Sequence, residues 1–381
     1  MSSSPPPAAA GSPGSPGSPG SAGLADLVEN RSIVVCCGSG GVGKTTTAAA
    51  VALLAAERGR RAVVVTIDPA KRLADALGLR GGLSDELRRI EGPWPGELWA
   101  TMLDTKATFD ALVRRHAGDA AQAERILANR FYQNISGSLS GTQEYMAAEK
   151  LYELHTERGF DLVVVDTPPT RDALEFLDAP ARLTRFLDHR LYRVLTTPTR
   201  LYLKAVNVAA QAFLRTASKV VGGDVIGDAI AFFQAFDGME AGFRSRAAHV
   251  IELLRAPETA YVLVTSPRRD AIDEAEFFAS ELRATGRTVA ALVVNRVHPR
   301  FGTGTAADAD AQADGATGPA VAGWRNLAEL RRVAEREAAQ LAELRAGIGS
   351  APTTQVPLLA ADVHDLDGLR VVARELAAPA G

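Results

Sequence analysis

Cysteine is nearly missing from this chain: two among 381 residues, Cys36 and Cys37, and they are adjacent. Neighbours in an extended run point to opposite faces, so the two are not expected to pair. They read as small apolar core residues in a reducing compartment. No CxxC occurs, which excludes a Cys-ligated zinc or iron–sulfur centre within one chain. Methionine is scarce at four residues, too few for the soft surface of a promiscuous groove. Charge of one sign is also missing: 42 Lys and Arg oppose 45 Asp and Glu, a net charge of −3. No nucleic-acid partner held by bulk charge is expected. No apolar run reaches membrane-spanning length, so no integral membrane segment is expected. Residues 1–23 carry the repeat GSPGSPGSPG and lack a charged n-region and an apolar h-region. They read as a disordered Ser/Pro/Gly tail and not as a secretory signal, and a cytoplasmic location is the expectation.

Apolar residues make up 46% of the chain, enough for a substantial core. The expected β-runs are Ser32–Cys37, Ala62–Ile67, Leu98–Leu103, Asp161–Val165, Ala260–Thr265, Val289–Asn295 and Thr354–Leu358. Most are continuous Val/Ile/Leu runs, as in a sheet covered on both faces. Helical patterns alternate with them, which predicts an α/β fold, a doubly wound and mostly parallel sheet. Two stretches break the rhythm: 105–158 and 172–255 lack β-runs and read as a helical subdomain over the strand carboxyl ends. The apolar run Leu201–Val221 within it reads as a helix buried against other helices, with an apolar groove for a partner helix as the alternative. The remaining ordered segments, 24–104, 159–171 and 256–381, read as the core. Within that core 302–323, GTGTAADADAQADGATGPAVAG, is expected to be a mobile loop. A charged helix with a solvated face is expected over Trp324–Ala346.

The chemistry is concentrated at residues 38–45, GSGGVGKT. They follow a β-run and precede AAAVALLAAERG, the arrangement strand–GxxxxGK[ST]–helix. Gly38, Gly40, Gly41 and Gly43 allow backbone geometry in which amide groups, with those of Val42 and Thr46, ring phosphates. The helix beginning near Lys44 adds its positive dipole end. Lys44 reaches toward the β- and γ-phosphates, and the Thr45 hydroxyl can ligate Mg²⁺. Asp68 ends the second apolar run, where it either activates an attacking water or is a turn aspartate before Pro69. Asp166 ends the run LVVVD, the place of a Mg²⁺-associated carboxylate, with a helix cap as the plainer alternative. Thr167–Thr170 follows as a stiffened turn.

GSGGVGKTTT, TIDPAKRL, SGTQEYMAAEKL, DTPPTRDALEFLDAP, VVNRVHP and VPLLAADVHDLDGL occur in the order seen in the ArsA/GET3 family of phosphate-loop ATPases. The chain resembles that family from about Arg31 to Leu369, most closely its single-domain actinobacterial branch. MinD/ParA proteins and nitrogenase iron protein are more distant. The resemblance implies ATP as ligand, Mg²⁺ as cofactor and ATP hydrolysis as activity, with Lys44 and Asp68 as catalytic residues and Thr45 and Asp166 at the metal. It makes Asn295 the reader of the adenine edge and sets Pro357 against the base. From the residues alone, Asn295 is also a strand-end turn and Pro357 a sheet-edge residue. Gly141 and Glu144 become subunit-interface residues, with Ser140 replacing a family proline. The implied partners are a second copy or a paralogous ATPase, and a client protein.

One letter departs. The family loop usually carries an early Lys that reaches across a dimer, and this chain has Ser39 there. Arg171, Arg72 and Lys71 are the nearby cations by sequence. Either another cation substitutes, hydrolysis is slow, or a paralogue supplies the Lys and this chain is an ATP-binding subunit of a heteromer. The metalloid-binding cysteines of arsenite pumps and the CxxC zinc pair of the targeting members are both missing. The short C-terminus has no basic stripe, unlike MinD/ParA proteins, and the switch-like TIDPA and DTPPT segments favour a conformational ATPase over a small-molecule kinase.

Overall fold

The computed structural model describes residues 23–68, 72–136, 141–189 and 223–378. Its centre is one eight-stranded sheet. The strands are β1 Ile33–Cys37, β2 Arg61–Thr66, β3 Arg88–Ile90, β4 Glu97–Met102, β5 Leu162–Asp166, β6 Thr259–Thr265, β7 Val289–Val297 and β8 Thr353–Pro357. Their order is β3-β4-β2-β5-β1-β6-β7-β8. All pairs are parallel except β3 with β4. The expected α/β class is correct, and every expected β-run is a strand. The sequence reading missed β3. It is short, opens with two exposed arginines and has no apolar run to announce it. That is how a sheet edge is kept from pairing with another chain.

β1 lies between β5 and β6. The chain builds β2 and β4 on one side of it and β7 and β8 on the other, so the crevice at its carboxyl end is where ligands bind in such sheets. Alternation along β1 feeds two cores. Ile33, Val35 and Cys37 face the helical layer with Val163, Leu151 and Phe176. Val34 and Cys36 face the opposite layer with Val64, Val164 and the helix Lys44–Glu57. Both cysteines are buried and free, on opposite faces as expected. The helix Lys44–Glu57 buries Ala48 through Ala56 without a break, because it is sandwiched between the sheet and the helix Leu366–Ala377.

Residues 105–136, 141–188 and 223–255 are helical apart from β5 and short connections. Asp104, Asp119 and Asn129 each cap a helix by accepting a hydrogen bond from the amide three residues on. This satisfies one of the orphan donors of each first turn. Tyr132, Phe232, Phe236 and Phe243 form the aromatic centre of this layer. The apolar run Leu201–Val221 lies outside the described residues.

The expected mobile loop at 302–323 is a correction. Ala306–Gly315 is a helix with a full capping box between Thr305 and Asp308, and Pro319 opens a helix that runs to Ile348. Low complexity misled the sequence reading, because the repeated residue is alanine, the best helix former. Ala306, Ala309 and Ala313 fall on one buried stripe. Arg325 and Arg332 of the long helix both grip Asp310. Arg331, expected on a solvated face, is buried and donates to the carbonyls of Phe301 and Thr305. Among the described residues no helix is long and apolar enough to cross a membrane.

Candidate functional site

The loop 38–43 leaves the carboxyl end of β1 pressed against its surroundings. A Cβ on Gly38 would sit 2.0 Å from the Val264 carbonyl oxygen, and one on Gly43, at φ +95°, 2.1 Å from the Asn295 amide nitrogen. Neither position admits a side chain, which is why the motif demands glycine there. Three carbonyls of the loop are held by side chains. Lys44 Nζ donates to Ser39 O at 2.8 Å, Asn295 Nδ2 to Val42 O at 2.8 Å, and Arg296 Nη1 to Gly41 O at 3.0 Å.

Lys44 is buried, and burial draws its ammonium below the usual lysine range, while Asp166 and Asp68 act to raise it. Asp166 is fully enclosed. Thr45 Oγ1 and Thr66 Oγ1 both donate to its Oδ2, at 2.8 and 2.9 Å. Its Oδ1 is buried with no hydrogen-bond partner. Burial pushes the carboxyl up to about 6, against the pull of the two hydroxyls and Lys44. An unpaired carboxylate oxygen beside a threonine hydroxyl is a fitting place for a hard cation. Among the described residues no three His, Cys, Asp or Glu side chains converge on a metal position. A Mg²⁺ here would be held by Thr45 and Asp166 with phosphate oxygens and water, its ordinary habit.

Asp68 follows β2, half-exposed, with Oδ2 3.6 Å from Arg72 Nη1. Its charge is felt by both Lys44 and Asp166. Toward the far end of the sheet a cleft of about 370 Å³ is lined by Gly41, Gly43, Lys44, Thr45 and Thr46 on the loop side. Asn295, Arg296, Pro357 and Leu358 line it opposite. Asn295 already uses one amide hydrogen on Val42 O and its Oδ1 on the Arg296 amide. An asparagine retains one further donor and one lone pair. Gly40, with Ser39 and Val42, lines a second cleft beside this one, and Arg296 borders both.

Both switch-like segments lead into the helical layer. Gln143 Nε2 donates to the Ile67 carbonyl at 3.2 Å, one residue before Asp68. Ile67, Gln143, Glu144, Pro168 and Phe176 enclose a small cavity, with Glu144 Oε2 buried and unpartnered. Gly141 precedes the helix Thr142–Tyr152, which carries Gln143 and Glu144, at φ +93°. The helix Thr170–Asp188 starts directly after the Asp166–Pro169 turn. Of the cations weighed for the missing Lys, Arg72 lines the cleft. Lys71 and the Arg171 side chain lie outside the described residues.

Sequence reasoning missed Thr66, Gln143 and Arg296. Thr66 had a signal, a lone hydroxyl ending the apolar run of β2. The other two had none, because their contacts are made across the fold.

The profile of the anion-transporting ATPase family, ArsA, matches residues 31–303. This chain belongs to that family. The match ends just before the helical hairpin of residues 306–348. A putative arsenical pump-driving ATPase of Aquifex aeolicus is 22% identical over 350 residues, 90% of this chain and 78% of the relative. The ATPase get3 of Aspergillus terreus is 31% identical over 131 residues, 34% of this chain and 37% of the relative. The ATPase GET3 of Kluyveromyces lactis is 28% identical over 139 residues, with 34% and 39% covered. Against those two, the chain matches little more than a third of their length. The protein is an ATP-binding ATPase of the ArsA family.

Proposed function

We propose that this ATPase hydrolyses Mg²⁺-bound ATP at residues 38–45 and uses the cycle to move its helical layer within a dimer. The observation that carries the metal reading is Asp166, bound through one oxygen to Thr45 and Thr66 and carrying an orphan second oxygen. Loop amides of Gly40 through Thr46 cradle the phosphates, and Lys44 neutralises charge that develops on them. Asp68 orients or deprotonates the attacking water, supported by its electrostatic reach to Lys44 and Asp166. Asn295 and Pro357 hold the base.

The coupling has a physical route. Gln143 links the residue before Asp68 to the helix Thr142–Tyr152, and Pro168 meets the same cavity from the other switch segment. We take 24–104, 159–171 and 256–381 as the ATPase core, and 105–158 with 172–255 as the moving subdomain. The two cysteines are buried in β1, so they offer no thiolate set to a soft metalloid.

Asp68→Asn is the test. Hydrolysis should fall by about 10²–10³-fold while ATP binding survives, as for loss of a group acting chiefly in the transition state. Undiminished phosphate release would remove Asp68 from the mechanism.

Ser39 favours a second reading, a heteromer in which a paralogue supplies the cross-subunit Lys. Mixing the two purified chains should then raise phosphate release well above their sum. Full turnover by this chain alone would end that reading.

A further inference from the structure

The phosphate loop is gripped from behind by two consecutive residues at the end of β7. In a trans peptide the C=O and N–H point in opposite directions. The Gly41 carbonyl shares its peptide with the Val42 N–H, and the Val42 carbonyl with the Gly43 N–H. Arg296 Nη1 holds the first carbonyl and Asn295 Nδ2 the second. Each bond therefore turns one N–H away from β7, the direction in which an anion nest needs it.

Arg296 adopts this position at a cost. Among the described residues it is the only non-glycine with positive φ, +61°. That conformation is disfavoured for a long side chain, and strain of this kind gathers at functional sites. The pairing of β7 with β8 breaks its register at the same place, between Val294 and Val297. The Asn295 side chain pins the turn by accepting from the Arg296 amide at 2.9 Å. The kink throws both side chains onto the loop.

We infer that Arg296 is a positioning residue for the nucleotide's phosphates, holding the Val42 amide aligned before the ligand arrives, as Asn295 holds that of Gly43. The inference rests on residues 38–45 being the phosphate site. It assigns Arg296 no contact with the base and no part in the chemical step.

Arg296→Gly and Arg296→Lys test it, with dissociation constants for ADP and for adenosine from displacement of a fluorescent nucleotide. Glycine deletes the guanidinium and suits a positive φ, so the variant need not lose stability. The readout is the ratio of the two affinities, which a general loosening of the fold would leave alone. Arg296→Gly should bind ADP about tenfold more weakly, with adenosine unchanged. Arg296→Lys keeps a donor and should stay within about threefold of the parent. An unaltered ADP affinity in Arg296→Gly, or equal weakening of ADP and adenosine, overturns the inference. Lys44→Ala separates the premise: if that variant binds ADP like the parent, the loop is not the phosphate site at all.

Discussion

The molecule handles charge in two ways, at the phosphate loop and in the helical layer. At the loop the groups proposed to meet phosphate are mostly backbone amides, and the side chains of Asn295, Arg296 and Lys44 hold its carbonyls. In the helical layer the charge is all side chain. Arg246 donates to Glu149 and Glu157, both at 2.6 Å, and Arg115 forks onto Glu157 at 2.5 and 2.7 Å. The Arg246 guanidinium also lies over the Tyr152 ring, 4.0 Å from its centroid. Glu149 is 3% exposed. Burial raises its pKa even though Arg246 pulls it down. The first arrangement is open to a ligand of opposite charge. The second is made between the protein's own side chains, with Glu149 Oε2 left buried and without a hydrogen-bond partner, and it ties the helices Thr105–His116, Thr142–Tyr152 and Glu240–Arg255 together.

The contrast breaks hardest at Arg246. Arg246→Met strands Glu149 without its cation and should cost about 3–5 kcal/mol of stability in urea denaturation. ATP affinity of the folded fraction should be unaltered. Adding Glu149→Leu should recover most of that loss, since an apolar pair of similar volume is often as good as a buried ion pair. A double variant as unstable as the single one would show that the charges are not the cause.

Thr66→Val sits on the other side of the comparison. It keeps the shape and removes one of the two donors to Asp166 Oδ2, so stability should fall by about 1–2 kcal/mol. Hydrolysis should fall with it, because the carboxylate loses its fixed orientation. Unchanged hydrolysis would mean that Thr45 alone positions Asp166. The smallest effect belongs to Ser39→Ala. The Ser39 hydroxyl is buried without a partner, so its removal should leave the melting curve unchanged or raise stability by less than about 1 kcal/mol. A clear loss would reveal a bond that the hydroxyl makes in solution.

Legibility from sequence followed the same division. The loop was readable because GxxxxGK[ST] occupies eight consecutive letters, and the places of Asp68 just past β2 and Asp166 at the end of β5 were readable because each closes an apolar run. The clamp by Arg296 was not, since it depends on β7 lying beside the loop and on a kink that no letter announces. The charge cluster was not readable either: positions 115, 149, 157 and 246 meet only once the helices have packed. The 302–323 segment failed for a different reason. Its composition looked disordered, while the spacing of Ala306, Ala309 and Ala313 and the Thr305–Asp308 capping box were helical signals in plain view.

The conformational cycle in a dimer is the claim most exposed to a single measurement, the solution mass by light scattering with and without ATP and Mg²⁺, made on Asp68→Asn so that ATP persists. The expected result is a species of twice the 40.2 kDa chain mass when ATP and Mg²⁺ are present. A chain that stays at 40.2 kDa under those conditions, while the parent hydrolyses ATP on its own at the same concentration, would contradict it.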